Sequence, residues 1–105
     1  MSNKISLIRL KLAMSSEAPP MIFDVRKKPA FDSDSRMIKT AQWRVHDDVR
    51  AWAADIPENS KVTVYCVHGH EVSQNAAKEL CDLGFDATYL DGGIANWIEG
   101  GYSVS

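Results

Sequence analysis

The stretch KVTVYCVHGHEVSQNAA, residues 61–77, decides the fold. Its first part, residues 62–65, is a β-branched apolar run that predicts a buried strand. Its last part, residues 73–77, predicts the start of a helix, with Ser73 as the N-cap. Cys66 stands where the strand ends, and the loop that follows contains one glycine, Gly69. The stretch therefore predicts a strand, a short loop and a helix, with a cysteine at the first junction.

A cysteine in this position is a candidate nucleophile. Main-chain N–H groups converge at the start of a helix, and the helix dipole adds positive potential there. Both effects favour the thiolate, which is the reactive form of cysteine. The alternative is an inert cysteine that packs as a small apolar side chain. We favour a nucleophilic Cys66 because the strand, the glycine-containing loop and the helix follow in the order that such a site needs.

Alternating strands and helices are predicted along the rest of the chain. This alternation favours an α/β domain with a mostly parallel sheet. Before the central stretch we predict a helix over 7–14 capped by Ser6, a strand over 21–25, a loop over 27–36 with one helical turn around Phe31, a short strand over 41–43, and a helix over 48–54 capped by Asp47. After it we predict a helix over 73–83 ended by Gly84, a strand over 87–90, a tight turn at 91–93, a helix over 94–98, and a tail over 102–105 that docks onto the domain.

Composition and charge limit the function classes. A chain of 105 residues is long enough for one domain, which we expect to span residues 1–105. The net charge of −2, without a basic stripe, gives no reason to expect a nucleic-acid partner. The sequence has no apolar run long enough to span a bilayer and no signal-peptide core, so we expect a cytoplasmic protein with no membrane partner. Cys66 and Cys81 fit free thiols better than a disulfide framework.

Two polar residues are expected close to Cys66. In parallel sheets, sites form beyond the carboxyl ends of the strands. Asp24 and Arg26 close the strand over 21–25, as Cys66 closes the strand over 62–65. We interpret Asp24 and Arg26 as an ion pair that fixes the loops, with pocket electrostatics or partner docking as the alternative.

Short segments in a fixed order resemble the rhodanese family. They are IS at 5–6, IFDVR at 22–26, VYCVHG at 64–69, Ser73 with Ala76 and Ala77, and LDGGI at 90–94 followed by Trp97. The resemblance implies a small five-stranded sheet flanked by helices on both faces. It also implies a sulfurtransferase in which Cys66 carries a persulfide sulfur, taken from thiosulfate or a persulfide donor and passed to cyanide or to a thiol, including a protein thiol. The loop that would bind the donor comprises Val67, His68, Gly69, His70, Glu71, Val72 and Ser73.

The loop departs from the family in charge and in length. It has no Lys or Arg, and a carboxylate such as Glu71 opposes binding of a nearby dianion by roughly 1–4 kcal/mol. Only His68 and His70 remain as sources of positive charge in the loop. We therefore expect weak capture of thiosulfate. Counted to Val72, the loop is one residue longer than is common in the family and resembles that of phosphatases and arsenate reductases, which place an arginine where Val72 stands.

Three functions remain open at this point. The first is a sulfurtransferase, the second is a binding or regulatory module without catalysis, and the third is a phosphatase-like or arsenate-reductase-like enzyme. The acidic loop favours the second, and the missing arginine opposes the third. We expect no cofactor. We also expect no metal, although Cys66, His68 and His70 are suitable by residue type, because a loop of this kind turns N–H groups inward and side chains outward.

Overall fold

The computed structural model describes residues 3–105 and arranges them as a parallel sheet between two layers of helices. The strands lie side by side in the order β1-β5-β4-β2-β3, and every pairing is parallel. The strands are β1 Asn3–Ile5, β2 Met21–Asp24, β3 Gln42–Trp43, β4 Lys61–Tyr65 and β5 Asp86–Leu90. The helices are α1 Leu7–Met14, α2 Lys28–Ser33, α3 Val49–Ala53, α4 Glu71–Asp82 and α5 Gly93–Glu99. The predicted α/β class and five-stranded sheet are confirmed.

Each face of the sheet buries its own apolar cluster, because successive side chains of a strand point to opposite faces. Helices α3 and α4 cover one face, and α1 and α5 cover the other, so the prediction of helices on both faces is confirmed. The first cluster includes Phe23, Val62, Val64, Val49, Ala77 and Leu80, and the second includes Leu10, Ile22, Tyr65, Leu90, Ile94 and Trp97. A strand buried on both faces needs a continuous apolar run, which explains the sequence of β4.

The register of β2 against β4 brings the ends of both strands to one edge of the sheet. Asp24 lies opposite Tyr65 in the parallel ladder, and the Val25 amide donates to the Tyr65 carbonyl at 2.9 Å. Arg26 and Cys66 therefore leave the sheet side by side. In residues 3–105 no helix has the length and apolar character to cross a bilayer.

Several local predictions are confirmed by the structure. Helix α1 has the predicted bounds, and the Ser6 hydroxyl accepts a hydrogen bond from the Arg9 amide at 3.2 Å. Gly84 follows α4 with a φ of +99°, as expected of a left-handed residue at a helix end. The C-terminal tail docks through an antiparallel bridge between Ile38 and Val104.

Three predictions are wrong or incomplete. Strand β1 was not identified from its own residues, because Asn3–Ile5 has no internal pattern and is defined by its pairing with β5. Helix α3 begins one residue later than predicted, so Asp48 rather than Asp47 occupies the N-cap position, and its side chain makes no capping bond. Helix α4 begins at Glu71, so Ser73 lies inside the helix and is not its N-cap.

Tyr65 makes the stability of the fold sensitive to alkaline pH. Its side chain is fully buried, and its hydroxyl accepts a hydrogen bond from the Ile38 amide at 3.3 Å. Burial, and next the nearby charge of Asp24, raise the pKa of Tyr65 far above its ordinary value. Below about pH 10 the phenol is neutral in both states; above it, ionisation favours the unfolded chain.

We therefore expect the free energy of unfolding to fall as the pH rises above about 10. In Tyr65→Phe the fall should be shallower, although the variant is less stable at neutral pH because the Ile38 amide loses its acceptor. Urea unfolding of both proteins between pH 7 and pH 11 measures the difference. If the free energy of unfolding falls equally with pH in both proteins, Tyr65 does not cause the alkaline loss of stability.

Candidate active site

The loop from Cys66 to His70 connects β4 to α4, and the first turn of α5 determines its orientation. The Cys66 carbonyl accepts from the Ile94 amide, and the Val67 carbonyl accepts from the Ala95 amide, both at 3.0 Å. In a trans peptide unit the carbonyl and the N–H point in opposite directions. Because these carbonyls face α5, the amides of Val67 and His68 point to the other side of the loop.

The amides that follow are also available to a bound anion. Within the described residues, none of the main-chain amides at positions 67–73 donates to a main-chain carbonyl. The first that does belongs to Gln74, which reaches the His70 carbonyl at 3.1 Å. Unpaired amides in a loop that leads into a helix form a binding site for negative charge. The sulfur of Cys66 lies at the start of this loop.

Ser73 forms a direct hydrogen bond with the candidate nucleophile. The Cys66 thiol donates to the Ser73 hydroxyl, with an Sγ–Oγ distance of 3.1 Å. Both side chains are buried, with 6% of Cys66 and none of Ser73 exposed. When the thiol is ionised, the hydroxyl can reverse its role and donate to the sulfur anion. The serine that was predicted to cap the helix thus contacts the reactive atom.

Ser73→Ala should slow alkylation of Cys66 at pH 7 by about five- to thirtyfold, because a hydrogen bond to a charged group contributes roughly 1–2 kcal/mol. The rate of reaction with iodoacetamide measures this. Ser73→Thr keeps the hydroxyl and should react faster than Ser73→Ala. A wild-type rate in Ser73→Ala would mean that the bond does not stabilise the thiolate.

Glycines at two positions allow the loop and the start of α5 to approach closely. Gly69 has a φ of +72°, and a Cβ there would lie 2.6 Å from the Leu90 carbonyl oxygen. Gly93 has a φ of +65°, and a Cβ there would lie 2.4 Å from the Val67 carbonyl oxygen. Both of these oxygens belong to the main chain and not to a flexible side chain. A larger residue at either position must therefore displace the main chain. The LDGGI segment therefore holds the loop in position.

We expect Gly93→Ala to destabilise the protein by at least about 2 kcal/mol more than Gly101→Ala. Both positions have positive φ, so both variants include the strain of a left-handed alanine, about 1–2 kcal/mol. A Cβ on Gly101, however, has no atom within 4 Å, whereas one on Gly93 overlaps the loop. Urea denaturation compares the two. Equal losses of unfolding free energy in the two variants would show that the close approach of Gly93 to the loop does not matter for stability.

Asp24 and Arg26 form a buried ion pair beside the loop. The exposed fractions of their side chains are 0% and 3%. The Arg26 Nε lies 3.0 and 2.9 Å from the two Asp24 carboxylate oxygens, and its Nη atoms donate to Asp24 and to the carbonyls of Asp34 and Arg36. Every nitrogen of the guanidinium thus has a protein acceptor. This geometry favours the interpretation of the pair as a structural element that fixes the connection after β2.

A pocket of about 270 Å³ opens above Cys66. His68 and His70 lie exposed at its wall, with ring centroids 6.1 Å apart, and Glu71 is also exposed there. Sequence reasoning missed Lys27, which reaches the pocket from the connection after β2. In residues 3–105 no group of three or more His, Cys, Asp or Glu is placed to hold a metal ion. The full lining is Arg26, Lys27, Ala30, Cys66, Val67, His68, His70, Glu71 and Val72.

A larger cavity of about 420 Å³ lies elsewhere, between α1 and the start of β2. It is lined mainly by apolar side chains such as Met14, Pro20 and Met21, with Lys11 and Lys39 among its walls. No cysteine or histidine is among its lining residues. We therefore place the candidate active site in the smaller pocket, which contains Cys66 and the unpaired amides.

Comparison with known proteins places the fold and the loop in one family. The family model of the rhodanese-like domain matches residues 9–100. The chain is 54% identical, over 39 residues, to thiosulfate sulfurtransferase GlpE of Shewanella oneidensis. That match spans 36% of this chain and 38% of the relative, well under half the length of either.

Solved structures agree over almost the whole chain. A rhodanese-related protein from Thermoplasma volcanium superposes with a TM-score of 0.83 at 27% identity and covers 98% of this chain and 97% of its own. A thiosulfate sulfurtransferase from Pseudomonas aeruginosa gives a TM-score of 0.83 at 17% identity, covering all of this chain and 19% of its own. At that identity, the second likeness concerns the fold alone.

Proposed function

Because the chain belongs to the rhodanese-like domain family, we propose that it is a sulfurtransferase whose Cys66 carries the transferred sulfur as a persulfide. The observation that carries the proposal is the placement of the Cys66 sulfur. It lies at the start of a loop with unpaired amides, is hydrogen-bonded to Ser73, and lines an open pocket. A cysteine that served only as packing would not need any of these features.

The proposed reaction has two displacement steps. The Cys66 thiolate attacks the outer sulfur of the donor, an Sγ–S bond forms, and the S–S bond of the donor breaks. The electron pair of that bond leaves with sulfite when the donor is thiosulfate, or with a thiolate when the donor is an organic persulfide. An acceptor thiolate or cyanide then attacks the terminal sulfur of the Cys66 persulfide, and the Cys66 thiolate is released. No oxidant or reductant is consumed.

The amides of the loop and of the first turn of α4 contribute to both steps. The terminal sulfur of the persulfide carries negative charge, and preorganised donors stabilise such charge without reorganisation during the reaction. The amides at positions 67–73 and the hydroxyl of Ser73 are donors of this kind. Glu71 at the pocket opposes a doubly charged donor, so we propose that thiosulfate is used less well than a persulfide.

The proposed sulfur transfer also indicates which acceptor and which compartment to expect. We propose a low-molecular-weight or protein thiol as the physiological acceptor, because the pocket is open at the surface. A reducing compartment such as the cytoplasm keeps Cys66 in the thiol form that the reaction needs. Cys66 is not part of a disulfide in the structure.

Intact-protein mass spectrometry tests the proposal. The protein is reduced, incubated with thiosulfate or with an organic persulfide, desalted and weighed, and a peptide map locates any added mass. We expect the gain of one sulfur atom on Cys66, and its loss when cyanide is added. A protein that gains no sulfur from any donor would be a binding module, and turnover of p-nitrophenyl phosphate would indicate a phosphatase instead.

A further inference from the structure

The anionic group of a donor needs a positive partner, and most nearby cations are already engaged. The guanidinium of Arg26 lines the pocket, but all its nitrogens donate to Asp24 or to main-chain carbonyls. Lys28 lies 2.7 Å from a carboxylate oxygen of Asp32. Neither side chain is available to a ligand without breaking an existing bond.

Lys27 differs from both neighbours. Lys27 lines the pocket and is exposed, and in the described part of the chain no ion pair or side-chain hydrogen bond engages it. The main chain of Lys27 is well fixed. The preceding residue, Arg26, is buried, and the carbonyl of Lys27 accepts a hydrogen bond from the Phe31 amide at 3.0 Å. A fixed main chain with an unengaged ammonium at a pocket is suited to binding an anion.

We propose that Lys27 recognises the anionic group of the sulfur donor and that the preferred donor is a small organic persulfide bearing a carboxylate. This inference rests on the proposed function and adds the substrate class. The loop itself has no cation, so Lys27, from the connection after β2, supplies the missing positive charge.

The pocket favours an organic donor over an inorganic one. Ala30, Val67 and Val72 give the wall apolar contacts that a carbon chain can fill and a thiosulfate ion cannot. Its volume of about 270 Å³ is also larger than an ion of that size occupies. In thiosulfate both charges lie next to the reacting sulfur, whereas in the organic donor the carboxylate is separated from that sulfur by a carbon chain. Glu71 on the same wall therefore opposes thiosulfate more strongly.

The test compares three persulfides of similar size that differ only in charge. They are made from 3-mercaptopropionate, 2-mercaptoethanol and cysteamine, which carry a carboxylate, a hydroxyl and an ammonium group. Single-turnover loading of Cys66, followed by mass spectrometry, should be fastest with the carboxylate and slowest with the ammonium, with a ratio of about ten at low salt. Equal rates in the wild type, or the reverse order, would overturn the proposal.

Substitutions at two adjacent lysines locate the effect. In Lys27→Gln the preference for the carboxylate over the ammonium donor should fall about fivefold through a higher KM, with kcat little changed. Lys27→Arg should retain the preference. The matched control Lys28→Gln removes the same charge one residue away and should also retain it. An unchanged preference in Lys27→Gln, or an equal fall in Lys28→Gln, would refute the role of Lys27.

A second measurement does not require sulfur transfer. Iodoacetate is an anion and iodoacetamide is neutral, so the ratio of their rates with Cys66 reports the local potential. Lys27→Gln should lower the ratio about fivefold, and Lys28→Gln should leave it near the wild-type value. If no persulfide loads Cys66, the proposed function fails, and this ratio still decides whether Lys27 provides the positive potential at the pocket.

Discussion

Cys66→Ser is expected to reduce sulfur uptake and transfer to background, a loss on the order of 10³-fold or more. The physical reason is that a serine hydroxyl is almost entirely protonated at neutral pH and cannot form a persulfide. The fold should be retained, because the replacement is similar in size and can still form a hydrogen bond with Ser73. Mass spectrometry after donor treatment and a thiocyanate assay with cyanide as acceptor measure the two steps.

Cys81→Ser is the matched control. Cys81 packs against the cluster beneath α4, and its sulfur lies 3.5 Å from the Ala87 carbonyl, away from the pocket lining. This variant should still gain one sulfur atom and pass it to cyanide. Sulfur on Cys81 in the Cys66→Ser variant, or normal turnover by that variant, would contradict the assignment of the nucleophile.

Asp24→Ala is expected to cost about 3–5 kcal/mol in the free energy of unfolding. It leaves the Arg26 guanidinium buried without its counter-charge, which is among the most destabilising single changes in a protein interior. The connection after β2 should also loosen, since Arg26 anchors the carbonyls of Asp34 and Arg36. Urea unfolding measures the loss directly.

The chain contains a matched control for this prediction. Asp34 and Arg36 have the same spacing and a similar two-point geometry, with Nε and Nη2 of Arg36 at 2.9 and 2.7 Å from the carboxylate oxygens. The hydrogen bond from Arg36 lowers the pKa of Asp34 to about 2, so this pair is also ionised at pH 7. It is exposed to solvent, however, and Asp34→Ala should hardly change the stability. Similar losses in the two variants would show that burial is not the deciding factor.

Much of the fold could be predicted because the decisive patterns are local. The apolar run of β4 and the helical spacing of Ala76, Ala77 and Leu80 are visible without any tertiary information. The position of Cys66 at the end of β4 follows from the same run. The separate clusters on the two faces confirm the layered arrangement expected from alternating elements.

What could not be predicted depends on contacts between distant segments. Strand β1 exists because Asn3–Ile5 pairs with β5, and three mostly exposed residues give no periodic signal. Helix α4 starts before Ser73 because α5 holds the loop carbonyls, an arrangement that the loop sequence does not contain. The sequence therefore predicts a cap at Ser73, whereas in the structure its hydroxyl contacts the Cys66 sulfur.

Lys27 illustrates the same limit within the site. In the sequence it is one of two adjacent lysines in a polar stretch, with nothing to separate it from Lys28. The structure separates them, because Lys28 pairs with Asp32 whereas Lys27 is part of the pocket lining. Lys27 thus adds a cationic side chain at the pocket from outside the loop on which the sequence analysis concentrated.

The central claim is that the amides of residues 67–73 hold a sulfur anion on Cys66, and amide NMR tests it most directly. Proton–nitrogen spectra of the labelled protein are recorded before and after one sulfur atom is loaded onto Cys66, with Cys66→Ser as the blank. We predict downfield shifts of the amide protons at positions 67–73, because they gain a charged acceptor. A protein that carries the sulfur on Cys66 while those resonances stay in place would contradict the claim.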